Sequence, residues 1–291
     1  MAIVTNTDPI PERGVLGRSR RTLAGSFLLV PVAKAWQHRE LIRALVRRDL
    51  TERFRDSYIG WAWAVLAPLA MLCVYMLVFT NVVTVPASSD ASTGRRALSM
   101  FVGIIIFNLF AELISRAPTL LQEHVHFIKK SIFPSEALAW ISMLRAMAYA
   151  GIGLAVLLVF QIVLTGTVPL SALLLPVLVV PFCLMTLGAI WFLAALGALT
   201  RDVSHLMITI VPVLIFATPV FYSVADMPPG MQVLAYFNPL SGPIEMARQI
   251  LLVGTSLDPV TYAVSFALSV AVFYGGYAFF TRYRDVVVDV I

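Results

Sequence analysis

Fifty-five consecutive residues, Ala146 to Thr200, contain no charged side chain. A helix needs about 20 apolar residues to cross ~30 Å of hydrocarbon. The run is too long for one crossing and long enough for two, and Thr165-Gly166-Thr167-Val168-Pro169 supplies a turn between them. Trp61 to Ser89 is a second charge-free run, of 29 residues. In lipid every backbone polar group must be paired within its own segment, so such runs read as helices. The chain is 59% hydrophobic and 13% charged, against about 25% charged in soluble domains. The pattern predicts an all-α integral membrane protein with six transmembrane helices, roughly 61–83, 97–116, 137–165, 170–199, 203–223 and 259–281.

The cations orient this bundle. Eleven of the 21 Lys and Arg residues lie before Gly60. With the N-terminus in the cytoplasm, 17 cations fall on the cytoplasmic side. Three, Arg95, Arg96 and Arg248, fall outside, and Arg145 lies within the third span. This follows the positive-inside rule, and six spans return the C-terminus to the cytoplasm. The net charge of +5 sits beside membrane spans, where anionic headgroups are its natural partner and nucleic acid is not. Ser19-Arg20-Arg21-Thr22-Leu23 imitates an export signal. Cleavage after it would export the basic block from Arg39 to Arg55 and break the charge rule, so residues 1–37 read as a cytoplasmic tail.

Three segments between or beside the spans have their own patterns. Residues 38–60 form a basic amphipathic, interfacial segment. Leu41, Ile42, Leu45, Val46 and Leu50 lie on one side of its wheel and Arg39, Arg43, Arg47 and Arg48 on the other. Arg47, Arg48, Arg53 and Arg55 gather just before the first span, and guanidinium groups match the phosphate oxygens of a phosphorylated lipid two at a time. A short helix is expected within 118–133, with Gln122, Glu123, His124, Phe127 and Ile128 available to a soluble partner. Two further helices are expected within 228–253, too short to span and too apolar for water, hence re-entrant at the outer face. The first span, the end of the fifth and this outer region carry the aromatics Trp61, Trp63, Tyr75, Phe221, Tyr222, Tyr236 and Phe237. Such residues suit an interfacial belt.

The catalytic inventory is short. No Gly is followed by Lys, so there is no nucleotide-binding loop of the G-x-x-x-x-G-K type. The four histidines are scattered, and Cys73 and Cys183 both fall in apolar runs, so no metal site or disulfide is expected. The chain reads as a non-enzyme. Glu112, Arg116 and Arg145 are ionisable residues at similar depth in spans two and three, and a Glu112–Arg145 or Glu112–Arg116 ion pair is expected. The remaining spans lack the chain of carboxylates that proton-coupled transport needs. That points to an outside energy source.

Four sets of residues recur together. The first is Arg53-Phe54-Arg55-x-Ser57-x-Ile59-Gly60-x-x-Trp63-x-x-x-x-Pro68. Lys129-Lys130-Ser131-Ile132-Phe133-Pro134 and Arg201-Asp202 follow. The last is Thr218-Pro219-Val220-x-Tyr222 with Met227-Pro228, Asn238-Pro239-Leu240, Arg248 and the tail Arg282-Tyr283-Arg284. In order and spacing, from about residue 38 to the end, they resemble the membrane subunit of type-2 ABC exporters, in the branch that exports lipid-linked polysaccharides (O-antigen, capsule and teichoic acid). Ile59 stands where that family commonly has Leu, and residues 1–37 have no counterpart in it.

The resemblance implies a homodimer with two copies of a separate ABC ATPase, which binds the ATP and Mg²⁺. It implies a bacterial inner-membrane location, a coupling helix at about 118–133, an interfacial gate helix at 38–60 and external gate helices at about 228–253. The substrate it implies is an undecaprenyl-linked polysaccharide, with its lipid pyrophosphate gathered by Arg47, Arg48, Arg53 and Arg55 and its sugars passing along Trp61, Trp63, Tyr75, Phe221, Tyr222, Tyr236 and Phe237, which offer apolar faces to C–H surfaces and polar tips to hydroxyls. A drug or small-lipid exporter of the same superfamily is the alternative. A membrane-embedded polyprenyl-phosphate enzyme would need paired acidic or His residues at one membrane face, and none is found.

Overall fold

The computed structural model describes residues 30–53, 55, 57–81, 93–125, 134–224 and 227–290, and among them there is no strand. Chain order gives α1 (Val30–Gln37), α2 (Arg39–Glu52), α3 (Trp63–Asn81), α4 (Thr93–Arg116), α5 (Leu120–Glu123) and α6 (Ala137–Thr165). Then come α7 (Leu175–Leu199), α8 (Asp202–Ala217), α9 (Pro229–Phe237), α10 (Ser241–Arg248) and α11 (Pro259–Val290).

Among the described residues five helical runs are long and apolar enough to cross a membrane: Gly60–Val78, Gly94–Glu123, Ala137–Thr165, Leu170–Leu199 and Pro259–Tyr283. The span expected at 203–223 is the 16-residue α8 instead. At 1.5 Å per residue it reaches about 24 Å, short of the hydrocarbon thickness. The reason is local. Pro219 disfavours the helical region for the residue before it, and Thr218 is extended (φ −100°, ψ 139°). Asn238 closes this helix end, its Nδ2 donating to Ala217 O at 3.1 Å and to Thr218 Oγ1 at 2.9 Å.

The chain nevertheless passes from one end of the bundle to the other along α8 and the segments after it. Gly197, near the end of α7, lies against Pro118, whereas Gly254 lies against Pro169 at the opposite end. The turn between α6 and α7 is made at Gly166, whose φ of 75° is a left-handed value that suits glycine. Gly60 (φ 57°) turns the chain from the interfacial segment into α3 in the same way.

The tightest packing joins α7 and α11. A Cβ on Gly276 would overlap the Gly188 carbonyl, and one on Gly188 would overlap the Val272 carbonyl, so the backbones touch there. Small residues at such crossings let helices approach closely in lipid, where packing rather than water exclusion holds them. Beside that contact Trp191 is fully buried, edge-on to Phe273 at 5.2 Å and Tyr277 at 5.0 Å, with its indole donating to Glu136 O at 3.2 Å. By contrast α3 is loosely packed: among its described side chains only Leu72 is fully buried.

The interfacial region differs from its expected outline. Two helices, α1 and α2, meet at His38, and α2 stops at Glu52. Ile42 is buried and Leu45 and Val46 are half-buried against the cluster containing Leu113, Ala117 and Ile141. The apolar side of α2 therefore rests on the bundle itself. Lys34 of α1 reaches the buried Glu136 at 3.0 Å. Burial alone would pull that ammonium down, but pairing with Glu136 carries it above the ordinary lysine value. Residues 1–29 lie outside the described residues.

Candidate functional site

A charged cleft of about 950 Å³ opens where α2, α4, α5 and α6 meet. Arg48, Asp49, Glu52 and Arg53 approach from the interfacial side, Asn108, Glu112 and Arg116 from α4, Glu123 and His124 from the short segment after it, and Arg145 from α6. Each is placed by helical register. Glu112 and Arg116 stand one turn apart on α4, and Asp49 and Arg53 one turn apart on the interfacial segment.

Arg145 is the centre of this network. Its Nη2 is 3.7 Å from Glu112 Oε1 and its Nη1 is 3.8 Å from Asp49 Oδ2. Arg53 Nη1 approaches the same Glu112 oxygen at 3.6 Å, and its guanidinium lies 4.3 Å from the centre of the Tyr149 ring. Arg116 turns away from Glu112 and pairs with Glu123 at 3.2 Å, which also accepts the Thr119 hydroxyl at 2.8 Å. Arg48 contacts Asp49 at 3.5 Å and Glu52 at 3.4 Å. Four guanidinium groups thus face four carboxylates. The Glu112 contacts exceed normal hydrogen-bond length, so they are ionic neighbours that a stronger acceptor, such as a phosphate oxygen, can replace.

Of the four arginines expected at the entrance, Arg48 and Arg53 line the cleft, while Arg47 and Arg55 are exposed and do not. Sequence reasoning passed over Asp49, Glu52 and Asn108. The signals present were the Arg48–Glu52 spacing of four and an amide in the middle of an apolar span.

In the expected coupling segment, a 3₁₀ turn (Ala117–Thr119) leads into α5. Leu120 and Leu121 are buried. Gln122 Nε2 donates to Gly197 O at 3.2 Å, and His124 Nδ1 sits 2.9 Å from Leu120 O. The segment is therefore held against α7. Phe127 and Ile128, with Lys129 and Lys130, lie outside the described residues.

The expected channel aromatics do not share one surface. Trp61 and Trp63 are about half exposed at the cleft end of α3. Tyr75 and Phe221 pack against the cluster of Ile104, Phe107 and Phe182. Tyr222 donates its hydroxyl to Phe216 O at 2.7 Å. Tyr236 and Phe237 are exposed at the end of α9.

The opposite end of the bundle is pinned by Arg248. It is buried, and its guanidinium donates to Ser99 O (3.0 Å), Tyr222 O (3.0 Å), Val220 O (2.6 Å) and Glu245 Oε2 (3.2 Å). One side chain thereby ties α10 to α4 and to the loop after α8.

A model of the ABC-2 type transporter family matches residues 40–252. The chain belongs to this family. Membership makes it a multi-pass transport subunit of the membrane and implies an ABC ATPase as its partner. Three relatives share one printed name, O-antigen export system permease protein RfbA. The relative from Myxococcus xanthus is 26% identical over 196 residues, covering 67% of this chain and 73% of its own length. Two from Klebsiella pneumoniae are 21% and 20% identical, covering 74% and 84% of this chain and 82% and 92% of theirs. The family match begins one residue into α2, so the interfacial helix and the cleft lie within it and α1 lies before it.

Proposed function

We propose that this chain is the membrane-spanning permease of an ATP-driven exporter that carries a lipid-linked polysaccharide of the O-antigen type out of the cytoplasm. It acts as a homodimer in the bacterial inner membrane, with two copies of a separate ATPase. The observation that carries the reading is the charged cleft at the end where the interfacial helix, spans and coupling segment converge. That is the end at which an undecaprenyl pyrophosphate head would wait. The shared name of the three relatives supports the substrate class. The nearly unpacked α3 and α8 support a second protomer, because such faces need a partner or lipid to cover them.

In this scheme ATP binding to the partner moves the segment 117–125, and its lock on α7 passes the movement to the α7–α11 pair. Arg48 and Arg53 receive the pyrophosphate. The exposed Trp61 and Trp63 at one end and Tyr236 and Phe237 at the other contact the sugars as they enter and leave. The test is export in a strain lacking the gene. Complementation with the wild-type chain and its ATPase restores surface polymer, and the Arg48→Gln/Arg53→Gln double variant cuts it at least tenfold while still co-purifying with the ATPase. Normal surface polymer in the gene-deleted strain would sink the proposal.

A further inference from the structure

A second cavity, of about 340 Å³, shares Arg53, Asn108 and Glu112 with the charged cleft. It runs between α3, α4 and α6. Small residues make its room: Ala64 and Ala67 on α3, Ala150 and Gly153 on α6. Met71 and Ile104 close its sides. Beyond the three shared residues the lining is almost wholly apolar. An apolar groove left empty loses packing contacts along its whole wall, so it favours an apolar occupant.

Its length is informative. Along α4 the lining extends from Glu112 to Phe101, which at 1.5 Å per residue is about 16 Å. That is close to half of the ~30 Å hydrocarbon core, the depth of one leaflet. Its polar end has a half-exposed guanidinium, Arg53, whose contact with Glu112 at 3.6 Å leaves it open to a better acceptor.

We infer that this groove is the tail site for a single-chain lipid pyrophosphate: the head is held in the cleft by Arg53 and the first isoprene units lie between α3, α4 and α6 of one protomer. The inference rests on reading the cleft as the pyrophosphate entrance. One narrow groove continuous with a large charged cleft suits a lipid with one chain and a bulky head. A diacyl phospholipid would need space for a second chain beside it.

The experiment uses the full chain in nanodiscs of zwitterionic lipid, with farnesyl pyrophosphate carrying a diazirine on its terminal isoprene. Adducts on α3 near Met71 or on α6 near Ala150 are expected. Gly153→Leu and Ala67→Phe, which fill the groove from opposite walls, should each weaken farnesyl pyrophosphate binding more than tenfold and leave inorganic pyrophosphate binding within twofold. Arg53→Gln should weaken both ligands. If both filling variants bind farnesyl pyrophosphate normally while Arg53→Gln does not, the groove is overturned and the entrance stands. If neither ligand binds the wild-type chain, both readings fall. If diacyl phosphatidylglycerol competes as well as unlabelled farnesyl pyrophosphate, the groove is a site for bulk lipid and the inference is wrong.

Discussion

Arg145 and Arg116 line the same cleft and have different tasks. Arg145 is 13% exposed and sits between Asp49 and Glu112. Removing it takes the most sheltered cation from two part-buried carboxylates and leaves them only the more exposed Arg48 and Arg53, a loss of about 1–3 kcal/mol, below that of a buried pair fully broken. Arg116 and Glu123 are 48% and 40% exposed, and pairs of that kind contribute about 0–1 kcal/mol. Arg145→Met should therefore lower the unfolding free energy, read by SDS titration in detergent, several-fold more than Arg116→Met. Equal losses would mean that Arg145 is not the hub of the network. Glu112 and Arg145 were legible in the sequence because ionisable groups in a span are costly and stand out. Asp49 and Glu52 were not, because on an interfacial helix they read as local partners of surface arginines. Arg248 was legible only as an outer cation and a motif residue. Its real work depends on four backbone and side-chain acceptors brought together by three separate segments, and no spacing rule reveals that.

Helices that end in glycine turns or enter a charged flank were readable at nearly their true limits, as with α6 ending at Gly166 and α7 ending before Arg201. The failures came where a proline competes with an apolar run. The run to Ser223 looked like a full span, but Thr218-Pro219 stops the helix and hands the chain to the hairpin of α9 and α10. Packing partners were harder to read than limits. Gly275 and Gly276 are neighbours in sequence, yet a Cβ on Gly275 meets nothing within 4 Å while one on Gly276 overlaps the Gly188 backbone. Gly276→Ala should push α11 off α7 and cost about 1–3 kcal/mol. Gly275→Ala should be neutral or stabilise by up to about 1 kcal/mol through helix propensity. Thermal unfolding of the two variants in the same detergent decides it, and matching midpoints would show that the helices do not meet at Gly276.

At the scale of the whole molecule, two tightly packed long helices, α7 and α11, stand beside a segment locked onto α7 at Gly197, while α3 and α8 have little protein around them. An exporter needs both kinds of part, one that transmits a push and one that yields to it. The number of crossings decides which side each part faces. By length alone five of the described helices span, and five would leave α1 and the end of α11 on opposite sides. The contacts argue for six passages. Lys34 of α1 pairs with Glu136, and Glu136 in turn accepts the indole of Trp191, which packs on Tyr277 of α11. The beginning of the described chain and the far half of α11 are therefore at one end. Gly166 and Gly254 belong to the other, since Pro169 touches Gly254. The bilayer thins locally or its headgroups dip to meet a helix as short as α8, at a cost of fractions of a kcal/mol per Å. Among the described residues Lys34, the arginines from Arg39 to Arg55, Arg116, Arg201 and Arg282 belong to the first end, and Arg95, Arg96 and Arg248 to the second, an asymmetry from which the positive-inside rule predicts a cytoplasmic first end. Reporter fusions after Gly166 and Ser256 should thus read outside, and fusions after Thr200 and Ile291 inside. A fusion at Ile291 that reads outside, with Thr200 inside, would mean that α8 enters and leaves by the same face, and the outer position of Arg248 and its hairpin would have to be abandoned with it.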